Sequence, residues 1–197
     1  MSEKFSKIGA WNVIYKNKQY YSDKKNRKVY DDPKTATMAA DWLAVPDIIQ
    51  IEDWGCGTGG FEMFLAKWQT YIGIDGSDTP AANKIVDLAK YVSKVDAIHL
   101  RHVLEHNQMW ESILRNFLQS FTKRGVITIF TPFKESTSIH NTYKNWKNTG
   151  VDMIDITFSW DDIKKVIDED SSITYKTFFN VPTKTQYGVE NVILLKK

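Results

Sequence analysis

The sequence predicts an α/β fold built on a mostly parallel sheet. Three observations carry that expectation. Runs suited to strands, at 48–53, 71–75, 95–100 and 126–130, alternate with segments whose apolar side chains recur at helical spacing. The first run stops at two carboxylates, Glu52 and Asp53, and enters a glycine-rich turn, Gly55-Cys56-Gly57-Thr58-Gly59-Gly60. The last two runs, 173–180 and 190–195, follow one another with no helix between them. They must pair antiparallel, because a parallel return needs a crossover.

Bulk properties narrow the class. A chain of 197 residues suits one domain, 1–197, with 42% hydrophobic and 25% charged residues as in a soluble globular protein. A net charge of +2 demands no strongly charged partner. One cysteine, Cys56, excludes an internal disulfide framework. No apolar run approaches the roughly 20 residues of a membrane span. The opening Met-Ser-Glu-Lys lacks the apolar core of a signal peptide. A cytoplasmic protein with no membrane partner is expected.

Residues 1–34 form a basic and aromatic arm, in which Trp11, Tyr15, Tyr20, Tyr21 and Tyr30 are interleaved with lysines. It reads as a solvated arm packing a few rings on the core, as a lid that excludes water from a site, or as a basic arm on an anionic substrate. The core is expected over 35–197. Good helix formers fill 34–45, and Pro46 ends that helix. The strand at 48–53, the glycine turn and a helix over 61–68 follow, the free N–H groups of that helix pointing back into the turn. A second strand, Tyr71-Ile72-Gly73-Ile74, ends in Asp75, and Lys84 to Ala89 supplies a third. Val95 to Leu100 reads as the fourth strand. Residues 109–121 read as an amphipathic helix stopped by Lys123, Arg124 and Gly125, with a buried strand at 126–130 next. The polar run 134–150 is the expected substrate loop, containing His140, Asn141, Tyr143 and Trp146. Ser159 is placed to cap a helix over 160–169.

The glycine turn admits two cofactors. Gly55-x-Gly57-x-x-Gly60 satisfies a dinucleotide fingerprint, in which a pyrophosphate sits on a helix N-terminus. Asp53 argues against it: a carboxylate at the strand end repels a diphosphate and attracts an ammonium or a sulfonium. Asp75 lies about 20 residues beyond Gly55, the spacing at which an acid accepts ribose hydroxyls in either cofactor class.

Asp53-x-Gly55-x-Gly57-x-Gly59, the acid Asp75 and the segment Val103-Leu104-Glu105-His106 together resemble the class I S-adenosylmethionine-dependent methyltransferases, over about residues 40 to 197. The resemblance implies a three-layer, Rossmann-like sandwich with a mostly parallel seven-stranded sheet and a C-terminal antiparallel hairpin. It implies S-adenosyl-L-methionine as cofactor and S-adenosyl-L-homocysteine as product. It places Asp53, Gly55, Cys56, Gly57, Gly59, Asp75, Gly76, Ser77, Asp87, Leu88 and Arg101 around the cofactor, with Asp87 toward the adenine. Cys56 serves there as a small loop residue and not as a nucleophile. His102 and His106 are the expected bases, since His titrates near neutral pH, with His140 behind them. Tyr20, Tyr21 and His140 are the expected substrate contacts. No compact metal-ligand cluster is evident among the histidines.

The acceptor is read by elimination. The motif of amino-methylating DNA enzymes has only a faint echo in Thr131-Pro132-Phe133, and no nucleophilic cysteine or separate nucleic-acid domain is present. A small molecule remains, a sugar or cell-surface metabolite hydroxyl on resemblance alone. The alternatives are an RNA or protein acceptor read by the basic arm, a silent S-adenosylmethionine-binding protein, or a nicotinamide oxidoreductase.

Overall fold

A computed structural model describes residues 10–13, 15, 27, 32–146 and 152–197. Its centre is a seven-stranded sheet. The strands are β1 (Gln50–Trp54), β2 (Thr70–Asp75), β3 (Lys84–Ile85), β4 (Val95–Arg101), β5 (Phe121–Ile129), β8 (Tyr175–Pro182) and β9 (Val189–Lys196). Their order across the sheet is β3-β2-β1-β4-β5-β9-β8. The first five are parallel, and β9 runs antiparallel to both β5 and β8. The terminal hairpin thus inserts its second strand beside β5. Two further strands, β6 (Ser138–Tyr143) and β7 (Met153–Thr157), pair antiparallel as a separate ribbon.

The period of two along each strand sorts side chains into two cores. Ile51, Ala97, Val126, Val192 and Leu194 point to one face and meet Ala36, Ala39, Ala40 and Leu43 of helix α1 (Lys34–Leu43). Trp54, Ile98, Leu100, Ile127, Ile129, Ile193 and Leu195 point to the other. There they are covered by α2 (Trp110–Ser120) and α3 (Trp160–Asp168). Ser159 caps α3, its hydroxyl accepting from the Asp161 and Asp162 N–H groups. Among the described residues no helix is long and apolar enough to cross a membrane.

Several elements depart from the sequence reading. The helix expected over 61–68 is a single 3-10 turn, Gly60–Phe64, opened by Gly59 in the left-handed region with no side-chain cap. Leu65 is already extended. The Gln69 amide then ties the return to the Leu43 carbonyl at 2.7 Å and accepts from the Ala66 N–H at 3.1 Å. Tertiary anchoring overrides the helical spacing of 61–68. The supposed stop signal Lys123, Arg124 and Gly125 lies inside β5, which starts as soon as α2 ends. Gly125 is there for packing: a Cβ would stand 2.7 Å from the Phe117 ring and 2.9 Å from the Phe121 ring. The third strand shrinks to Lys84–Ile85. The expected loop over 134–150 contains β6, which pairs antiparallel with β7.

Candidate active site

The carboxyl ends of β1, β2, β4 and β5 open onto one edge of the sheet, where open α/β sheets bind their ligands. The glycine turn leaves β1 with the Gly55 and Cys56 N–H groups both on the Ile74 carbonyl, at 2.8 and 3.1 Å. Gly55, Gly57 and Gly59 all have φ between +52° and +77°, a region that L side chains rarely adopt. A Cβ on Gly57 would stand 2.8 Å from the Tyr15 hydroxyl, and one on Gly55 would strike Val103.

Two buried carboxylates underlie the turn. Asp75 accepts from the Gly57 N–H at 3.0 Å and the Ser77 N–H at 2.8 Å. Burial still outweighs these donors and pushes its carboxyl up to about 6. Asp53 is turned inward, accepting from the Tyr71 hydroxyl at 2.9 Å and paired with His99 Nδ1 at 2.7 Å. Phe61 stacks on the His99 ring at 3.7 Å. His99 Nε2 has no hydrogen-bond partner among the described residues. Glu52 faces the opposite core, bonded by Trp54, Tyr91 and Ser93. Cys56 is buried, and burial raises its thiol far above the usual range, as an inert loop residue requires.

This cradle fits a cationic adenosyl donor better than a diphosphate. A diphosphate needs the N–H groups of a true helix N-terminus, and the turn is followed here by one 3-10 turn only. Arg27, beside Gly59, is ion-paired to Glu62. The charge on offer is the carboxylate pair Asp53 and Asp75.

Asp87 lies past β3, its Oδ1 capping the Ala89 N–H at 3.0 Å, with Leu88 buried beside it. Gly76 and Ser77 follow β2, and the Ser77 hydroxyl accepts from the Trp11 N–H at 3.2 Å. The Asp78 N–H donates to Asn12 Oδ1 at 2.7 Å, and Trp11 stacks near Tyr15 at 6.0 Å. The described part of the N-terminal arm therefore lies on the glycine turn and the loop after β2. Tyr20 and Tyr21 fall outside the described residues.

Beyond β4 the structure separates the two expected bases. His102 takes a positive φ of 57° and bonds Glu190 through Nε2 at 2.9 Å. Arg101 reaches the same Glu190 oxygen at 2.7 Å, and Thr35 bonds the other. Burial first, then the Arg101 charge, holds the His102 imidazole down to about 4. Arg101 and His102 are thus brought together with the buried Glu190 in one side-chain network.

His106 faces a different setting. Its Nδ1 lies 2.9 Å from the Ile154 carbonyl and 3.3 Å from Asp155 Oδ1, on β7. Its ring packs against Phe130 at 5.4 Å and Trp11 at 6.2 Å, and Trp11 meets Trp146 edge-on at 4.7 Å. Tyr187 stacks on Phe130 at 5.7 Å and lies 5.6 Å from His140, which is otherwise exposed beside Lys134. Neighbouring Glu105 is fully buried, accepts from the Phe130 N–H at 2.6 Å, and is raised by burial to about 7. Among the described residues no group of three or more His, Cys, Asp and Glu could hold a metal ion.

Sequence reasoning missed Asp155, Tyr187, Glu190 and Phe130 as site residues. A signal for the two acids was present: each is the one carboxylate in a mostly apolar strand, Met153–Thr157 and Val189–Lys196. Both are buried, and a buried carboxylate needs partners.

Residues 39–162 match the methyltransferase domain family, and the chain belongs to it. No curated protein resembles it closely enough in sequence to count as a match. Its fold is that of class I S-adenosylmethionine-dependent methyltransferases, and similar solved structures carry the donor or its product. The magnesium protoporphyrin IX methyltransferase of Synechocystis PCC 6803, with bound S-adenosylhomocysteine, is similar at TM-score 0.63 and 16% identity, over 100% of both chains. The 1,6-didemethyltoxoflavin-N1-methyltransferase of Burkholderia thailandensis, with its substrate and S-adenosylhomocysteine bound, is similar at TM-score 0.63 and 14% identity, over 95% of this chain and 88% of that one. The [4+2]-cyclase SpnF reaches TM-score 0.66 at 11% identity, over 96% of this chain and 94% of that one.

Proposed function

We propose that the chain transfers the methyl group of S-adenosyl-L-methionine to a hydroxyl of a small molecule, a sugar or similar metabolite, with His106 as general base. The observation that carries this is the His106–Asp155 pair. Nδ1 is committed to the Ile154 carbonyl and Asp155, which assigns the proton to Nδ1 and leaves Nε2 as the basic atom. A hydroxyl acceptor needs such a base as the new bond forms. His102, tied to Glu190 and held low, serves to position and not to accept protons.

When bound, S-adenosylmethionine supplies an electrophilic methyl on a sulfonium. This chain's residues do the rest. Gly55, Cys56, Gly57 and Gly59 let the donor approach the backbone, Asp53 provides negative charge under the turn, and Asp75 with Gly76 and Ser77 receives the ribose. Asp87 and Leu88 border the adenine, and Arg101 braces the turn from beside Gly55. Tyr15 and Trp11 cover the turn and exclude water. Phe130, Trp11 and Tyr187 give flat apolar faces for the acceptor, with His140 at the rim. The structurally similar methyltransferases named for 1,6-didemethyltoxoflavin and magnesium protoporphyrin IX support a small-molecule acceptor.

The test is a screen of sugar nucleotides and small metabolites with methyl-labelled donor, with His106→Gln run alongside. Label transfer that survives His106→Gln at the wild-type rate would remove the base. A second reading, donor binding without methyl transfer, is favoured by the similarity to a cyclase. Donor binding with no adenosylhomocysteine formed on any acceptor would select it.

A further inference from the structure

We propose that Tyr187, with Asn141 behind it and Tyr143 opposite, is the positioning residue that holds Asp155 against His106, where Asp155 joins the Ile154 carbonyl in keeping the proton on Nδ1 and leaving Nε2 to take one. The inference rests on the reading of His106 as base and deepens it.

Asp155 is buried, at 2% exposure. Its Oδ2 accepts from two phenols, Tyr143 at 2.9 Å and Tyr187 at 2.8 Å, while Oδ1 is the oxygen turned to His106. Each phenol is itself aimed from behind by a side-chain amide. Asn141 Nδ2 donates to the Tyr187 hydroxyl at 2.7 Å, and Gln186 Nε2 donates to the Tyr143 hydroxyl at 2.8 Å. A hydroxyl oxygen already accepting a bond has its own hydrogen committed to the remaining acceptor. Two chains of amide, phenol and carboxylate thus converge on one oxygen and leave the other for the imidazole.

Gln186 and Tyr187 both come from the turn between β8 and β9. Gly188, at φ +71°, closes that turn onto the Thr185 carbonyl at 2.9 Å. The same Tyr187 ring stacks on Phe130, which packs on His106, so one hairpin holds both the carboxylate and the ring wall. Against burial, His106 first and then the Tyr187 and Tyr143 hydroxyls keep the Asp155 carboxyl below its ordinary range, and burial with the Asp155 hydrogen bond and charge pushes the Tyr187 phenol up. The carboxylate therefore stays ionised and the phenol protonated across neutral pH. The other charged or titratable groups around His106 are Glu105 on its own turn and His102 at the end of β4. Phe130 and Trp11 present uncharged faces.

The test needs no acceptor. Histidine ring nitrogens are labelled with nitrogen-15 in the full chain, whose histidines number only 4, and His106→Gln assigns the signal. Wild type should show His106 protonated at Nδ1. Asp155→Asn should lower its titration midpoint and mix its tautomers. Tyr187→Phe removes a donor from Asp155, concentrates its charge and should raise the midpoint. Asn141→Leu keeps the ring stack and should raise it less. An unmoved midpoint in Tyr187→Phe, beside a clear change in Asp155→Asn, would overturn this inference and leave the base assignment standing. No change in Asp155→Asn would also overturn the inference, and a wild-type His106 protonated at Nε2 would overturn the base assignment itself. Should Tyr187→Phe not fold, an unmoved midpoint in Asn141→Leu overturns the inference alone.

Discussion

The donor side and the acceptor side of this sheet edge are built by different physics. On the donor side the backbone does the shaping. Three glycines with positive φ open the turn, and two buried carboxylates set its charge. On the acceptor side positive φ appears at His102, Asn145 and Gly188, in the segments between strands, and side chains do most of the shaping through Glu190, Asp155 and the rings around Phe130. We propose the glycine turn as a fixed receptacle for one donor molecule. The acceptor side is a network in which each group is aimed by another, and changing one partner re-aims the rest.

That contrast makes the two sides separable. His106→Gln should lower turnover of whichever acceptor the screen returns by about a hundred- to ten-thousand-fold, the range for losing a general base. Calorimetry should show its S-adenosylhomocysteine affinity unchanged; a matching loss of affinity would break the separation. Asp75→Asn should do the reverse. It replaces a buried carboxylate that two N–H groups and a ribose would share, so donor affinity should fall by about ten- to hundredfold.

Gly57→Ala puts a Cβ 2.8 Å from the Tyr15 hydroxyl at a φ of +52°. Thermal unfolding should show a loss of about 1–3 kcal/mol, and less if Tyr15 moves aside. The smallest effect sharpens the charge argument. Asp75 titrates at about 6, so donor affinity should fall as pH drops below that value, by at most about tenfold per pH unit. The stability sign is opposite. A carboxyl raised in the folded state keeps its proton better than the unfolded chain, so its contribution is present at acid pH and lost as pH rises through about 6. Melting curves of wild type against Asp75→Asn, at pH 5 and pH 7.5, should show that pattern in the unliganded protein.

The clustering of the glycine turn with its carboxylates was legible in the sequence because these residues are contiguous. Asp53 to Gly59 and Asp75 to Ser77 lie in two short stretches whose order along the chain is their order in space. The error there was local: helical spacing over 61–68 could not reveal that Gln69 anchors an early return. The acceptor side was only half legible. His106 stood out by its motif, but Asp155 and Tyr187 come from a ribbon and a hairpin that the fold brings to it. His102 carried the same motif and landed elsewhere, because Glu190 arrives from the last strand and takes it. The strand order beyond β5 decides these pairings, and spacing along the chain does not encode it.

We propose that the carboxylates under the glycine turn select a cationic adenosyl donor over a diphosphate. Titration calorimetry on the wild-type chain, with S-adenosylmethionine in one experiment and NAD in the other, tests it most directly. One-to-one binding of S-adenosylmethionine and no heat with NAD is the expected result. Binding of NAD, with none of S-adenosylmethionine, would contradict it.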